Sequence, residues 1–496
     1  MFIARGMYPV ELGDIDVIVH EDKLHLFYLN ITGHDVVSHI VSEDGMHWKQ
    51  LPSALRTGDP GEADDDQIWT MHTFPWKGRF YMLYTCLAQA DDGRLQKTGL
   101  AISDDLIHWM KVPHNPVAAP DARWYEADLC SSGRADWRDP SIWIEGDTIH
   151  SFVCAHEKDG PFNRRGCVAH LTSKDALHWT VEPPFYTPRI STDFEVPSVF
   201  KLNGRYYLFG HIVYPQIDVY RIADQLAGPW RRPMDDTLLP APNHDFHPCE
   251  WRGKMMVFNW IGVGKWDDSG DPVRMFAAPK IVQAAPDGAL RLTPFDAGWD
   301  AVATEPWRAV STKEILSKGR AYRGDWRAAG NNLSGQSHPG MGLQLLDGTW
   351  ADFDFEATIS SADAPEFGIV FRSDDTADQC MRLSCIQGRQ TVELHRLYER
   401  INFNAIGRGF ECLQTRHVNF ATGKAFRVRI SAYGPYIEIS IDGSVRLATF
   451  NMYKRDGSVG FFIEDGAAEI KDVRIRRLEA PAMKLPKGPI PPKAKI

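Results

Sequence analysis

One phrase returns five times in the first 300 residues, and only a fold built from repeated units accommodates it. In each copy a polar turn leads into an apolar, aromatic run. Glu21-Asp22-Lys23 precedes Leu24–Tyr28, Lys77-Gly78 precedes Arg79–Tyr84, Gly146-Asp147 precedes Thr148–Val153, Asn203-Gly204 precedes Arg205–Phe209, and Gly253 precedes Lys254–Phe258. Each reads as the second strand of a hairpin. A second phrase interleaves with the first: Ser42–Trp48, Ser103–Trp109 and Ser173–Trp179, with a looser version from Asp224 to Trp230. Its tryptophans at 48, 109, 179 and 230 are 61, 70 and 51 residues apart. Short strands recurring at such a period are the sign of a β-propeller, whose blades are small antiparallel sheets. Five copies predict five blades. The histidines and tryptophans of the second phrase are expected to be turn and packing residues, without a catalytic role.

If the blades are radial, the innermost strand of each begins just before the hairpin phrase, and its first residues face the axis. These points are Asp14, the Trp69-Thr70-Met71-His72 stretch, Asp139, Glu195 and the Asp245-Phe246-His247 stretch. Two of the acids come shortly before a proline, in Arg138-Asp139-Pro140 and Glu195-Val196-Pro197. Proline cannot donate to a ladder, so it suits the first residues or the edge of a strand. Arg138 beside Asp139 favours an ionised carboxylate. Three acids converging on one axial mouth give a concave site with polar groups, and two carboxylates in unlike environments are what glycoside hydrolysis requires.

Composition narrows the ligand. The chain of 496 residues is too long for one ordinary domain, and its 43% hydrophobic and 11% aromatic content, with 16 Trp, supplies ample core and stacking surface. A net charge of -10 disfavours nucleic acid and anionic membranes as partners. The eight cysteines form no CxxC pair and no metal-ligand spacing, so reduced thiols are expected and neither a metal nor another cofactor is. The acidic run Glu62–Asp66 lacks the spacing of a calcium loop and is expected to be a solvated rim. With no basic segment leading into a long apolar run near Met1, a cytoplasmic location is expected.

Gly13-Asp14 followed by Leu24–Tyr28, then Ser38-His39 leading to His47–Pro52, then Trp137–Pro140, then Phe194–Pro197 resembles glycoside hydrolase family 32, the invertases, inulinases and levanases, in the clan shared with families 43 and 68. The resemblance spans about 300 residues. It implies a glycosidase acting on a short fructose-containing saccharide, with Asp14 as nucleophile, Glu195 as general acid/base, and Asp139, beside Arg138, stabilising the transition state. It also makes Trp69, His72 and His39 candidate sugar contacts, with Asp245 and His247 opening blade five as further ones. A family 43-like inverting arabinofuranosidase or xylosidase, and a fructosyltransferase, are the alternatives. Asp16 competes with Asp14, but the twelve-residue step from Asp14 to Leu26 suits the family better. The sequence departs from the family's pattern at Glu11–Asp16, at Leu29 and at Val196, positions implied to line the sugar subsite, so the sugar itself stays open.

Beyond residue 300 the pattern changes. Residues 305–340, with a short helix at Ser311–Ser317 and the Gly330–Gly335 stretch, read as a connector between a propeller at 1–304 and a second domain at 341–480. That domain alternates over Phe353–Ile359, Phe367–Arg372, Thr391–Leu394, Phe426–Ile430, Tyr436–Ile441 and Val459–Ile463, with a turn at Asp442-Gly443, and predicts a β-sandwich. Residues 481–496 read as an extended tail.

Overall fold

The computed structural model describes residues 12–30, 33–129, 133–213, 215–262, 274–402, 405–419, 423–451 and 454–481. The expected tail and Cys130 lie outside the described residues, apart from Pro481. The chain divides into two compact units, one ending at Arg291 and the other spanning Leu292–Pro481.

In the first unit, consecutive strands form separate antiparallel sheets, the blades I to V. Their first strands are Leu12–His20, Gln67–Trp76, Trp137–Glu145, Glu195–Leu202 and Asn243–Trp251. Each touches the first strand of the next blade, and blade V returns to blade I, so the five close a ring around an axis. Their second strands, Lys23–Asn30, Arg79–Leu87, Thr148–His156, Arg205–Ile212 and Lys254–Gly262, coincide with the repeated apolar phrase. Those strands are apolar on both faces because a blade is covered by neighbours on both sides. Ile18, Phe27 and Val37 of blade I, for example, pack on Ile68, Met71, Met82 and Tyr84 of blade II. The second phrase is a capped turn: Asp44 accepts the N–H groups of Met46 and His47 and pairs with the His47 ring, and Asp105 and Asp175 do the same for His108 and His178. That is the side-chain mimicry of a backbone turn which aspartate favours. The acidic run is not wholly a solvated rim. Asp64 is buried, paired with Lys111 and accepting from Tyr84 Oη at 3.0 Å.

The second unit is an all-β domain built on the 20-residue strand Ser458–Arg477, which pairs along its length with Asn332–Leu345, Phe353–Ser360 and Glu366–Ser373. Phe353, Phe355, Phe371, Ile430, Ile439 and Phe461 fill the interior of this β-sandwich. Asp442 and Gly443, with φ of +48° and +74°, form the expected two-residue turn between Ile441 and Ser444. The expected connector is different: the unit boundary falls at Arg291, and residues 320–345 are strands of the sandwich sheet. The Gly-Asn pair that resembled a linker is a hairpin turn, Gly330-Asn331, joining Asp325–Ala329 to the strand from Asn332. The short helix lies at Thr312–Lys318, capped by Ser311 accepting from the Glu314 N–H.

Candidate active site

Every innermost strand carries one extra residue near its start. Leu12 and Ile15 pair with Asn30 and Tyr28; Trp69 and Met71 with Thr85 and Tyr84; Arg138 and Ser141 with Cys154 and Phe152; Glu195 and Ser198 with His211 and Phe209; His244 and His247 with Trp260 and Phe258. A bulge of this kind bends a strand and re-aims its side chains, and bulges are common at rims and active sites. Counted back from the hairpin ends of these strands, His20, Trp76, Glu145, Leu202 and Trp251, the residues Asp14, Thr70, Asp139, Val196 and Asp245 occupy one level at the bulges. The preceding residues are Gly13, Trp69, Arg138, Glu195 and His244. Asp139, Val196 and Asp245 have φ of +59°, +43° and +56°. Left-handed backbone costs a residue with a Cβ roughly 1–3 kcal/mol, and it collects where function requires it.

The bulges open onto a cavity of about 510 Å³ lined by Asp14, Arg138, Asp139 and Glu195, with Trp69, Thr70, His211, His244 and Trp260 among the remaining walls. Asp14 accepts a hydrogen bond from the Thr70 hydroxyl. Arg138 is buried and surrounded by acids. Its Nη2 donates to Glu195 Oε1 at 2.6 Å and to Asp193 Oδ1 at 2.8 Å, its Nη1 lies 2.7 Å from Asp136, and its Nε lies 3.7 Å from Asp139. Behind it, His156 bridges Asp136 at 3.1 Å and Glu126 at 2.9 Å. Asp139 Oδ2 accepts the Val196 N–H at 3.2 Å, and its own N–H donates to Thr85. Asp245 Oδ2 accepts the Ile15 N–H at 2.6 Å.

The carboxyls differ in their hold on a proton. Burial raises Asp14 above the usual carboxylate range; the Thr70 hydrogen bond opposes this and the charge of Glu195 adds to it. Burial pushes Asp139 up to about 7 against the pull of Arg138, with Asp14 and Glu195 contributing. Asp245 is raised well above the ordinary value, chiefly by burial and then by Asp14. Burial would raise Asp193 too, but the His156 hydrogen bond and the Arg138 charge hold it far below. Such separation of carboxyl environments within one cleft is the pattern of acid/base sites. Glu195, His211 and His244 also bring ligand-type atoms within 4.8 Å of one another. There, however, His211 faces Asp218 at 3.4 Å, and the His244 ring is stacked between those of His211 and Trp260.

Of the expected site residues, Asp14, Asp139, Glu195, Arg138 and Trp69 line the cavity. Four expected residues do not. His39 is fully buried in the third strand of blade I, stacked on Phe27 and bonded to His25 at 3.0 Å, because its strand lies outside the axial layer. His72 and His247 sit two residues beyond the bulge level, together with Asp16, and so point below the cavity. Asp245 holds backbone instead of facing the opening. Sequence reasoning missed His211, His244 and Trp260. The repeat could have found them: His244 precedes Asp245 as Arg138 precedes Asp139, and His211 and Trp260 are the cross-strand partners of Glu195 and His244.

Several carboxyls of unlike environment on the axis of a five-bladed propeller are an arrangement that glycoside hydrolysis can use. The family model of the glycosyl hydrolases family 32 N-terminal domain matches residues 15–223, the greater part of the propeller. A beta-fructofuranosidase, insoluble isoenzyme, of Arabidopsis thaliana is 27% identical over 198 residues, which are 38% of this chain and 32% of the relative. The chain thus matches about a third of the length of its first curated relatives. Over nearly the whole chain the fold is similar to that of fructan 1-exohydrolase IIa from Cichorium intybus, with a TM-score of 0.70, 14% identity and 96% of each chain covered. It is equally similar to that of sucrose-6-phosphate hydrolase from Lactobacillus gasseri, with a TM-score of 0.71, 14% identity, and 95% of this chain and 91% of that one covered.

Proposed function

We propose that the chain removes terminal fructofuranosyl units from a short fructose-containing saccharide by a retaining mechanism. The observation that carries this reading is the convergence of Asp14, Asp139 and Glu195, from three blades, on one cavity, with Arg138 gripping Glu195. Asp14 attacks the anomeric carbon while Glu195 protonates the departing glycosidic oxygen. Glu195 then takes a proton from the water that releases the sugar from Asp14. The Thr70 hydroxyl, donating to Asp14, favours the ionised nucleophile against the opposing effect of burial. Asp139 meets the sugar hydroxyls and the positive charge that develops on the ring. The substrates named for the relatives, sucrose 6-phosphate and fructans, support a fructosyl donor.

Wild type, Asp14→Asn and Glu195→Gln are incubated with sucrose, sucrose 6-phosphate, inulin- and levan-type oligosaccharides, and arabino- and xylo-oligosaccharides. Released sugars are read by chromatography. Fructose from wild type, reduced about 10³-fold or more in both variants at unchanged circular dichroism, is the expected result. Pentose release, or near-normal turnover by either variant, overturns the reading.

A further inference from the structure

Two residues past the bulge, where a strand has advanced about 7 Å, the axis holds a second polar cluster. Asp16 of blade I is completely buried, its Oδ2 fixed at 2.7 Å by the Thr73 N–H. Its Oδ1 has no hydrogen-bond partner. That oxygen lies 3.3 Å from His247 Nε2 of blade V and 3.7 Å from His72 Nδ1 of blade II, and the three atoms lie within 4.8 Å of one another. A buried carboxylate oxygen and two ring nitrogens thus share one space with no hydrogen bond from either ring to that oxygen. Leaving such an oxygen unsatisfied is costly.

We propose that Asp16, His72 and His247 bind one divalent first-row metal ion, of the zinc type, in the axial channel beneath the cavity. Two imidazoles and one carboxylate are a donor set that zinc accepts, and ligands at about 2.0–2.1 Å around a tetrahedral ion stand roughly 3.3–3.4 Å apart. The Asp16–His247 edge has that length now, the Asp16–His72 edge is 3.7 Å, and the His72–His247 edge is within 4.8 Å. One ligand is also steadied from behind. The Thr73 N–H orients the Asp16 carboxylate through its other oxygen, the kind of outer contact that fixes a metal ligand. His72 is 17% exposed, which leaves a route by which an ion reaches the cluster.

The position gives the ion a mechanical role. Among the described residues, no blade includes a strand from the other end of the chain, so blade V closes on blade I through side-chain and backbone contacts alone. An ion shared by blades V, I and II pins the ring at that closure. Local spacing could not reveal the site, because its ligands come from three separate strands.

The test uses the full chain, freed of metal by chelation and titrated with cobalt(II) as a spectroscopic stand-in for zinc. One equivalent bound, with the visible band of tetrahedral cobalt and a raised Tm, is expected. Binding should weaken at least 10-fold in His72→Ala and in His247→Ala, and persist in Glu195→Gln. If His247→Ala does not fold, the more exposed His72→Ala alone decides. Absence of the band and of any stoichiometric metal in wild type overturns the proposal. So does a band undiminished by the His72 substitution, or one lost in Glu195→Gln, which would place the ion in the cavity. None of these readouts depends on turnover, so the outcome stands apart from the proposed hydrolysis.

Discussion

The carboxylate of Asp245 accepts the backbone N–H of Ile15 at 2.6 Å, the amide that directly follows Asp14. Asp139 does the same, at 3.2 Å, for Val196, the amide that directly follows Glu195. Each of the two proposed reacting acids is therefore held at its backbone by an acid from the neighbouring blade. The rigidity of the site comes from across blade boundaries, and its geometry depends on the ring being closed.

Removing the grip on Ile15 should loosen Asp14 without touching the sugar. Asp245→Ala is expected to lower kcat by about 10–100-fold with KM little changed, since a displacement of about 1 Å at a reacting group costs on that order. Asp245→Asn keeps an oxygen for the Ile15 amide and should restore most of the loss. Steady-state kinetics of the two variants decide it; a rise in KM instead of a fall in kcat would mean that Asp245 contacts the substrate.

Arg138 neutralises a cluster that cannot stand without it. Asp136, Asp193 and Glu195 all lie within 2.8 Å of its guanidinium, the first two buried and Glu195 partly open to the cavity. Arg138→Met leaves these carboxylates facing one another and should destabilise the fold by about 3–5 kcal/mol. The drop is read as a fall in the denaturation midpoint. Arg138→Lys should recover only part of it, because one ammonium cannot reproduce the forked pairing. A midpoint within experimental scatter of wild type for Arg138→Met would sink this account.

The raised carboxyls predict opposite effects of pH on stability and on turnover. Asp139 moves from 3.8 to about 7 on folding, mainly through burial. The folded state therefore keeps a proton that the unfolded chain releases. The associated stability is present in full below pH about 4 and is lost as pH rises to about 7. At about 1.4 kcal/mol per unit, the loss is at most on the order of 4 kcal/mol. Asp139→Asn keeps the acceptor for Val196 and has no charge to bury, so it should exceed wild type in stability at pH 8 and match it near pH 4. Turnover needs the ionised form, and kcat/KM of wild type is expected to climb through pH about 7. Denaturant midpoints and a pH–rate profile measure both; a stability gap independent of pH would dispose of the idea.

How far the sequence shows this site depends on the level of the strand. The blades were legible because each second strand is covered on both faces and must be apolar, as Leu24–Tyr28 and Arg205–Phe209 are. The acids lining the cavity were legible because Asp139 and Glu195 stand shortly before prolines and Asp14 lies at the start of a strand. Elsewhere legibility failed. Asp245 has the same repeat position as Asp139 but turns to backbone, and His39 sits in a third strand, where the repeat gives no axial direction. His211 and Trp260 enter the cavity only through pairing across the blade. The Gly330-Asn331 turn looked like a linker because a hairpin turn and a linker use the same residues, and only the pairing of the flanking strands distinguishes them.

Glu195 also depends on packing behind it. Gly210 lies in the second strand of blade IV next to His211, and the Phe194 ring rests on its Cα, so that a Cβ there would fall within the ring. Gly210 is one of the positions where glycine is required by close approach and not by φ. Phe194 is fully buried, so it cannot yield without moving the backbone that carries Glu195. Gly210→Ala is expected to cost about 1–3 kcal/mol by overpacking and to reduce kcat, through displacement of Glu195, more than it raises KM. Phe194→Leu on its own opens a void, but combined with Gly210→Ala it makes room for the added methyl. The double variant should therefore be more stable than the sum of the two single losses implies, by about 0.5 kcal/mol or more. Denaturant midpoints for the four proteins of this cycle measure the coupling, and strictly additive losses would show that Phe194 and Gly210 do not constrain each other.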